Sequence, residues 1–472
     1  MRCEGGNREM VATVVDRLAE ILPEDRISVD PRTRQSNSED YAWFSNVLEE
    51  DLGGCRADVV VWPTTAEELA DVLAVAHGTR TPVTARGGGT GNYGQCVPVR
   101  GGMVVNLTKM NRVLELGEGL ARVEAGVKFA DLDRAANSTG QEIRIYPSTY
   151  LTATLCGFVA GGSGGIGSVA HGVIADGNVL AATVYPVLDA PKPRHLTGAE
   201  LGSIIHAYGT TGVLVDVTVP LARRTEWEQA VFSFPDIVAC HGFALDLIED
   251  RSVPKRLLTG VEPGVTRYFG RARLPFPAER TSAILMYGLG CRERVERLAG
   301  RQGGRLEFAL PQDSRTRLSD FTWNHTTLWA KKADDSLTYL QTGWSVDRFG
   351  EQVHAIQAEY GDDFAMHCEY FRADGSAFTA ALPIIRYKGR EHLDRMVEFV
   401  ESVGVGVANP HRYVLEEGSK VENVEELLRA KRENDPAGLL NPGKFQAAFA
   451  AGEQSGHTFK PASMTLARQR VL

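Results

Sequence analysis

The chain lacks paired cysteines, a basic bias and an apolar leader, and each absence excludes a class of protein. Its 7 cysteines are spread over 472 residues without a CxxC pair, which indicates reduced thiols and argues against a disulfide framework or a zinc site. The 51 Lys and Arg against 60 Asp and Glu give a net charge of −9, whereas nucleic-acid binders carry a basic bias. We therefore expect no nucleic-acid partner. The first residues show no apolar signal core, and we expect a cytoplasmic protein.

Charge is also missing from one long segment. Residues 145–175 contain no Asp, Glu, Lys or Arg, and a segment of this length is long enough to cross a membrane. The same stretch holds seven glycines, a proline and several Ser and Thr, which is a poor composition for a membrane helix. We expect an uncharged segment buried within the fold and no membrane span.

Glycine is the residue in excess, with 49 in the chain against the roughly 7% of average composition. Fourteen of them lie within residues 87–102 and 157–172. Glycine is costly to order, so such clusters indicate tight turns or close approach of the backbone to a ligand. Each window contains one GxGxxG match, formed by Gly89, Gly91 and Gly94 in the first and by Gly162, Gly164 and Gly167 in the second.

These two matches do not predict a Rossmann site, because that fingerprint follows a strand and opens a helix. The first match leads into Pro98 and a strand, and residues 168–178 after the second match do not predict a helix either. Successive glycine amides in a turn can still point at one anion. The two windows are therefore candidates for holding the two ends of one dinucleotide, with tight turns that bind no ligand as the alternative.

The order of predicted elements indicates an α+β protein with a break near residues 222–227. Before the break, helices are predicted at 10–22, 64–77 and 129–138, and strands at 59–62, 82–86, 103–107, 122–125, 179–187 and 214–220. After it, helical stretches at 236–249, 292–300, 350–360 and 390–403 alternate with strands at 282–288, 305–310, 337–344, 364–371 and 380–387. This pattern is typical of a second sheet covered by helices.

Several segments resemble a known family when they are taken in order. They are VVVWPTTAEELADVL (59–73), TPVTARGGGTGNYG (81–94), GGMVVNLTKMNRVLEL (101–116), ARVEAGVKFADLDRAANSTG (121–140), YPSTYLTATLCGFVAGGSGGIGSVAHG (146–172) and GTTGVLVDVTVPL (209–221). Together they resemble the PCMH-type FAD-binding domain of the vanillyl-alcohol oxidase / para-cresol methylhydroxylase family. DPAGLLNPGKF (435–445) resembles the C-terminal signature of its FAD-linked oxidases. Residues 225–430 resemble the family only in outline.

The resemblance implies a fold and a domain order. Residues 1–54 are expected to form an N-terminal helical segment of the FAD domain, and 55–223 the PCMH-type FAD-binding domain of two α+β subdomains. Residues 224–430 are expected to form a substrate-binding cap with an antiparallel sheet covered by helices. Residues 431–472 are expected to return to the FAD domain.

The resemblance also implies which residues hold the FAD. Backbone amides of Arg86, Gly87, Gly88, Gly89, Thr90, Gly91 and Asn92 are expected to bind the pyrophosphate. The flavin and its ribityl chain are expected to contact Pro147, Ser148, Thr152, Thr154, Gly157, Gly161, Gly162 and Ile166. The adenine is expected near Trp62, Pro63 and Val217, and the isoalloxazine edge near Asn441 and Lys444, whose charge would stabilise a reduced flavin.

Two departures from the family pattern change the expectations. Thr90 stands where some relatives carry a flavin-linking histidine, and Cys156 is displaced by four positions from a second linking site, at Thr152. We therefore predict non-covalent FAD. The GEHG metal signature of the D-2-hydroxyacid dehydrogenases is absent from residues 405–419, although His411 remains, so we predict no metal site.

The cap must supply a proton acceptor and groups that orient the substrate. TWNHTTLWAKK (322–332) mixes polar and aromatic residues as a pocket wall does. His325 and His411 are the candidate bases, and Lys331, Arg412 and Arg386 are candidates for binding a carboxylate or phenolate. Strand periodicity places Tyr339, Gln341 and Gly343 on one face, and His367, Glu369 and Phe371 on another. A structural role is the alternative for each of these side chains.

The resemblance implies an FAD-dependent oxidoreductase, either an oxidase or a dehydrogenase, that passes a hydride from a CH–OH group of a small or medium organic substrate to flavin N5. A flavin-binding subunit of an electron-transfer complex and a redox-neutral flavin enzyme are the alternatives. An electron-acceptor protein or oxygen is left open as the partner, and so is a homodimer.

Overall fold

The computed structural model describes residues 8–162, 164–272, 274–311, 314–418 and 423–445. The remaining parts of the predicted N-terminal segment (1–7) and C-terminal segment (446–472) lie outside the described residues. Helices and antiparallel sheets alternate along the chain as the sequence predicted, and the α+β class is confirmed.

The N-terminal half contains two sheets. Its helices are α1 (Arg8–Ala19), α2 (Pro31–Ser38), α3 (Asn46–Leu52), α4 (Ala66–Gly78), α5 (Phe129–Asn137), α6 (Leu155–Gly161) and α7 (Ser168–His171). Its strands are β1 (Ile27–Ser28), β2 (Val59–Val61), β3 (Val83–Arg86), β4 (Met103–Asn106), β5 (Val113–Gly117), β6 (Leu120–Glu124), β7 (Gln141–Ile143), β8 (Ala181–Tyr185), β9 (Arg194–Thr197) and β10 (Val213–Arg223).

The first sheet has the order β1-β2-β4-β3, in which β2, β4 and β3 are parallel. Every residue of β2 and β4 is buried, as expected for parallel strands that are covered on both faces. The second sheet has the order β5-β6-β10-β8-β9 with antiparallel pairs, and β7 also pairs with β10. One hydrophobic core joins the two sheets.

The C-terminal half forms the cap. Its helices are α8 (Ile237–Glu249), α9 (Pro263–Thr266), α10 (Arg292–Arg301), α11 (Asn324–Ala333), α12 (Phe349–Tyr360), α13 (Arg390–Ser402) and α14 (Val424–Asn434). Its strands are β11 (Trp227–Phe234), β12 (Lys255–Val261), β13 (Thr281–Gly288), β14 (Arg305–Ala309), β15 (Leu337–Tyr339), β16 (Thr342–Trp344), β17 (Phe364–Ala365), β18 (His367–Ala373), β19 (Ser376–Ala381), β20 (Ile384–Arg386) and β21 (Gly406–Val407).

The main cap sheet is antiparallel, with the order β14-β11-β13-β12-β18-β19-β16-β21. Alternate side chains enter different cores, because successive residues of a strand point to opposite faces. Phe232 packs with α8, α10, α12 and α13, whereas its neighbour Val231 packs on the face that carries α11. The face with α11 is the one that meets the N-terminal half.

The C-terminal end returns to the first sheet. The amide of Val83 donates to the carbonyl of Leu439 (2.7 Å), and the amide of Asn441 donates to the carbonyl of Val83 (2.7 Å). The chain end therefore lies beside β3, directly before the first glycine window.

Three local expectations are wrong. Residues 337–344 are not one strand, because the chain leaves the small sheet β15-β20-β17 and enters the main cap sheet within two residues. Tyr339 and Gln341 consequently do not share a strand face. Gly167 is followed by the single-turn helix α7, although four residues are far short of a Rossmann helix. Cys55 is disulfide-bonded, which the sequence did not predict because the spacing of cysteines does not reveal which of them meet. Cysteine usage therefore no longer argues for a reducing compartment.

Candidate functional site

A deep cavity lies between the two glycine windows and the cap sheet. It contains about 1680 Å³ of space, a volume that includes open solvent at its mouth. The N-terminal half lines it with Tyr41, Phe44, residues 85–93, Gln95, Cys96, residues 147–149, residues 160–162, Gly164, His206 and Tyr208, among others, and the cap lines it with Trp323, Asn324, His325, Gln341, Phe371, Ala380 and Leu382. A cavity that extends from the glycine windows to the cap sheet suits a long cofactor together with a small substrate.

The first glycine window brings bare backbone against a neighbouring loop. A Cβ built on Gly87 would overlap the hydroxyl of Thr154, and one on Gly88 would overlap the carbonyl oxygen of Thr152. A Cβ on Gly91 would overlap the side-chain amide of Gln95. The obstacle is backbone at Gly88 and a side chain at Gly87 and Gly91, so glycine is most strictly required at Gly88, and the loop presents its amides without side chains to cover them.

The guanidinium of Arg86 holds the first glycine loop against the N-terminal segment. Its guanidinium donates to the carbonyl of Glu39 (2.6 Å), to the sulfur of Cys96 (3.2 Å) and to the carbonyl of Ser36 (3.3 Å). The side chain is thus used to join the N-terminal segment to the loop, and the backbone is what faces the cavity.

The second glycine window forms the adjoining wall. Thr154 caps α6 by accepting a hydrogen bond from the amide of Gly157 (3.3 Å). Gln95 donates to the carbonyl of Gly161 (3.1 Å) and so joins the two windows. An ideal Cβ on Gly164 would lie 3.2 Å from Cη2 of Trp323, so this glycine lets the cap approach closely.

The cap wall is formed of side chains held by an unusual turn. Trp323 has φ 51 and ψ −144, a sparsely populated backbone conformation that costs of order 1–3 kcal/mol. Trp323, Asn324 and His325 all line the cavity. Nε1 of Trp323 and Oδ1 of Asn324 are buried atoms with no hydrogen-bond partner among the described residues, as expected for groups that await a ligand.

His325 lines this wall with a partly buried imidazole. Burial lowers its pKa below the usual histidine value, and nearby Asp320 only partly opposes the shift. An unprotonated imidazole at neutral pH can accept a proton.

Comparison with known proteins identifies the cofactor class. Residues 57–185 match the family model described as an FAD binding domain. An uncharacterized FAD-linked oxidoreductase of Mycobacterium tuberculosis is 27% identical over 86% of this chain and 94% of its own length. The glycolate oxidase subunit GlcD of Bacillus subtilis is 24% identical over 83% and 90%. The solved structure of p-cresol methylhydroxylase shares the fold, with a TM-score of 0.69 and 13% identity over 93% and 97% of the two chains.

The protein is an FAD-dependent oxidoreductase with a PCMH-type FAD-binding domain. The cavity fits this cofactor, because glycine backbone forms one wall and unpartnered polar atoms point from the other. The predicted residues that line the cavity are Arg86, Gly87, Gly88, Gly89, Thr90, Gly91, Asn92, Pro147, Ser148, Thr154, Gly157, Gly161, Gly162 and His325.

The residues expected at the adenine do not line the cavity of this flavoprotein. Val217 is fully buried in the core, whereas Gly212 and Leu214 of the same segment face the cavity. Trp62 packs beside the first sheet, and Pro63 follows it outside the lining. The adenine contact at Val217 stays a prediction, and the lining of this segment lies near the start of β10.

Several other predicted residues lie behind the wall. Ile166 is buried in the core and pairs with Tyr146, and Thr152 shows only its carbonyl to Gly88. Asn441 donates to the carbonyls of Gln95 (2.7 Å) and Tyr208 (2.8 Å). These residues support the cavity without lining it.

Lys444 is not the solvated lysine that its type suggests. It is fully buried, and its ammonium lies 4.7 Å from the ring centre of Tyr413. Burial lowers the pKa of Lys444 to about 8, against the opposing charge of Asp40. The lysine lies behind Gly94 rather than in the cavity lining.

The other cap candidates are placed away from the cavity. Lys331 donates to the carbonyl of Asp335 (2.7 Å), Arg386 donates to Ser336 (2.7 Å), and Arg412 lies at the surface near Asp394. None of the three lines the cavity. Lys331 is buried beside Asp335, and Arg386 and Arg412 pair with Asp334 and Asp394.

Tyr339 and His411 form a layer just behind the lining. The side-chain amide of Asn92 donates to the hydroxyl of Tyr339 (2.6 Å). Nδ1 of His411 lies 2.7 Å from the hydroxyl of Ser45, and its ring meets that of Tyr339 edge-on at 6.2 Å. Of the two candidate bases, only His325 lines the cavity.

Sequence reasoning missed His206 and Tyr208, which line the cavity from the N-terminal half. Both have positive φ, 54 and 53. Nδ1 of His206 lies 3.2 Å from the carbonyl of Gly162, and its Nε2 lies 3.2 Å from the hydroxyl of Tyr208. The available signal was an aromatic pair directly before the GTTG segment.

The described residues contain neither a metal-binding cluster nor a helix that could span a membrane. In the parts of the chain that the structure describes, no three His, Cys, Asp or Glu side chains approach closely enough to hold a metal ion. No helix within those parts is long and apolar enough to cross a membrane. Compartment, electron acceptor and oligomeric state stay predictions.

Proposed function

We propose that this protein oxidises a CH–OH group of a small or medium organic substrate, with His325 as the proton acceptor. The observation that carries the proposal is that His325 and the first glycine window line the same cavity. FAD bound there would accept a hydride from the substrate carbon. A second group must then remove the hydroxyl proton, and His325 is an unprotonated imidazole at the opposite wall.

The remaining cap side chains orient the substrate and exclude water. Asn324 and Gln341 supply amide groups beside His325, and the rings of Trp323 and Phe371 stack with centres 5.8 Å apart. Gln341 also accepts a hydrogen bond from the hydroxyl of Tyr93, which joins the cap to the first glycine window. Aromatic walls with a few polar groups are typical of small-molecule sites.

We propose that residues 86–92 hold the pyrophosphate through backbone amides and that FAD is bound non-covalently. Burial raises the pKa of Cys96 to about 11 and that of Cys156 well above its usual value. Both thiols stay protonated near neutral pH and are poor nucleophiles, and Thr90 has no group that links to a flavin ring. Acid precipitation is expected to release the yellow colour into the supernatant. Colour retained in the protein pellet contradicts this part of the proposal.

The substrate is found by anaerobic screening of the holoenzyme. Hydroxy acids, alcohols and phenols are added separately, and bleaching of the flavin absorbance is recorded by stopped flow. At least one class is expected to bleach the flavin, and admission of oxygen then separates an oxidase, which reoxidises quickly, from a dehydrogenase. Dithionite serves as the positive control. A flavin that dithionite bleaches but no organic alcohol bleaches contradicts the proposed function.

A further inference from the structure

We propose that Glu369 and His367 are positioning residues that hold the turn at Trp323–His325 in the form that serves the reaction. The inference rests on the proposed function, because it concerns the turn that presents His325. Both residues are buried beneath the cavity, with 1% and 0% of their surface exposed, and neither lines it. They therefore act through the turn and do not touch the substrate.

The backbone conformation of Trp323 in this turn is unfavourable by itself and needs support from neighbouring groups. Trp323 is not glycine, yet its φ of 51 lies in the left-handed region, which residues with a Cβ rarely adopt. Such a residue persists only where its surroundings determine it. The question is therefore which groups fix the backbone of Trp323.

Glu369 fixes the amide of Trp323. The Trp323 N–H donates to Oε1 of Glu369 at 2.5 Å, and Nε2 of His367 lies 2.8 Å from the same oxygen. The hydroxyl of Thr259 donates to the other oxygen, Oε2, at 2.6 Å. Two groups outside the turn, His367 on β18 and Thr259 on β12, thus orient the buried carboxyl that accepts from the Trp323 amide.

His367 fixes the carbonyl of Trp323 through Thr326. The hydroxyl of Thr326 donates to the carbonyl of Trp323 at 2.8 Å and lies 2.8 Å from Nδ1 of His367. The bonds close a ring through Trp323, Glu369, His367 and Thr326. Both backbone polar groups of the strained residue are therefore held by one buried network.

The held turn serves the cavity more than the core. It leaves Nε1 of Trp323 and Oδ1 of Asn324 without hydrogen-bond partners in the part of the chain that the structure describes, which costs stability. It also places the indole ring against Gly164 of the second glycine window. A turn selected for packing alone would relax its φ and pair these atoms, so the geometry indicates a role in placing Trp323, Asn324 and His325.

The test compares substitutions of Glu369 in the FAD-loaded enzyme. Glu369→Met removes the acceptor at similar size, and we expect the limiting rate of flavin reduction to fall about 10- to 100-fold, because small misplacements of reacting groups are costly. FAD content and the substrate concentration at half-maximal rate are expected to change less than the rate. Glu369→Gln keeps an oxygen that can accept from the Trp323 amide, and it should restore most of the rate.

The matched control is Glu262→Met, directly after β12 of the same cap sheet. Glu262 is a partly buried carboxyl that also accepts from a backbone amide, that of Met366 (2.7 Å), and from Gln357 (2.9 Å), but it does not line the cavity. It should lower thermal stability and leave the reduction rate near that of wild type. Equal losses of rate in Glu262→Met and Glu369→Met would show a general effect of cap stability and overturn the inference.

A readout independent of activity keeps the two proposals apart. In a crystal structure of Glu369→Met, Trp323 is expected to relax to negative φ, and if that variant does not fold, Thr326→Val tests the same ring from the carbonyl side. An unchanged turn in the variant overturns the positioning role even if the enzyme oxidises alcohols. A relaxed turn in an enzyme that no substrate reduces supports the positioning and rejects the proposed function.

Discussion

The two walls of the cavity differ in whether backbone or side chains form them. The N-terminal wall contributes all the glycines of the lining, and a Cβ on Gly87, Gly88 or Gly91 would overlap a neighbour. The cap wall is mostly side chains, with His325 and Phe371 among them. The first wall can bind a fixed ligand but cannot vary, whereas the second can change its chemistry residue by residue. Substitutions in the two walls should therefore fail in different ways.

The largest effect is expected at the backbone wall. Gly88→Ala places a methyl group on the carbonyl of Thr152, and backbone cannot move aside as a flexible side chain can. We expect purified Gly88→Ala to contain no FAD and to regain none on incubation with excess cofactor. Flavin absorbance and isothermal titration measure this. Gly54→Ala is the control, since its Cβ meets nothing within 4 Å, and it should be yellow; a yellow Gly88→Ala breaks the distinction between the walls.

The next effect is expected at the cap wall. His325→Ala removes the proposed proton acceptor, and general bases contribute roughly 10²–10⁴-fold to a rate. The variant should keep its FAD but show flavin reduction slower by about 100-fold or more in anaerobic stopped flow. The control is His354→Ala, because His354 is exposed on helix α12 and does not line the cavity. If His411→Ala loses the rate and His325→Ala does not, the base lies behind the wall instead.

The sequence predicted the backbone wall better than the cap wall. Glycine clustering and motif order carry over directly into residues 86–92 and 160–162 of the lining, because bare backbone leaves a compositional signal. The same reasoning placed His367, Glu369 and Phe371 on one strand face, and the structure confirms it through the contacts of all three with Trp323 or its turn.

What the sequence did not predict depends on contacts between distant segments. The φ of Trp323 is set by Glu369, 46 residues later, and no local propensity encodes such a bond. Lys331 and His325 lie on one helix, yet the lysine is buried beside Asp335 and does not line the cavity. Val217 fits an apolar strand equally well whether it faces the cavity or the core, so its burial could be learned only from the packing of β10.

A smaller effect is expected where the two walls touch. Gly164→Ala adds a Cβ 3.2 Å from Cη2 of Trp323 and 3.3 Å from the hydroxyl of Ser168, which requires a shift of a few tenths of an ångström. FAD should stay bound, and flavin reduction should slow by roughly 2- to 10-fold, since the indole moves with the turn. Adding Trp323→Phe, whose smaller ring lacks Cη2, should recover thermal stability. No recovery in the double variant would place the strain at Ser168 rather than between the walls.

The smallest effect on the reaction is expected in the cap away from both walls, where Glu262 affects stability alone. Burial raises the pKa of Glu262 to about 7, against hydrogen bonds from Met366 and Gln357 that lower it. The folded state then holds this proton more tightly than the unfolded chain, so the stability it contributes is complete below the unfolded pKa of about 4.3 and is lost as the pH rises through 7. Glu262→Gln cannot titrate.

The variant should therefore match wild type in urea unfolding near pH 4 and exceed it at pH 8, by at most about 4 kcal/mol. Its flavin reduction rate should equal that of wild type at both pH values, because Glu262 approaches neither wall. Unfolding curves that keep a constant separation from pH 4 to pH 8 would show that this carboxyl titrates normally. A change in the reduction rate would instead show that the interior of the cap influences the reaction in the cavity. The contrast between an invariant backbone wall and an independently adjustable cap would then not hold.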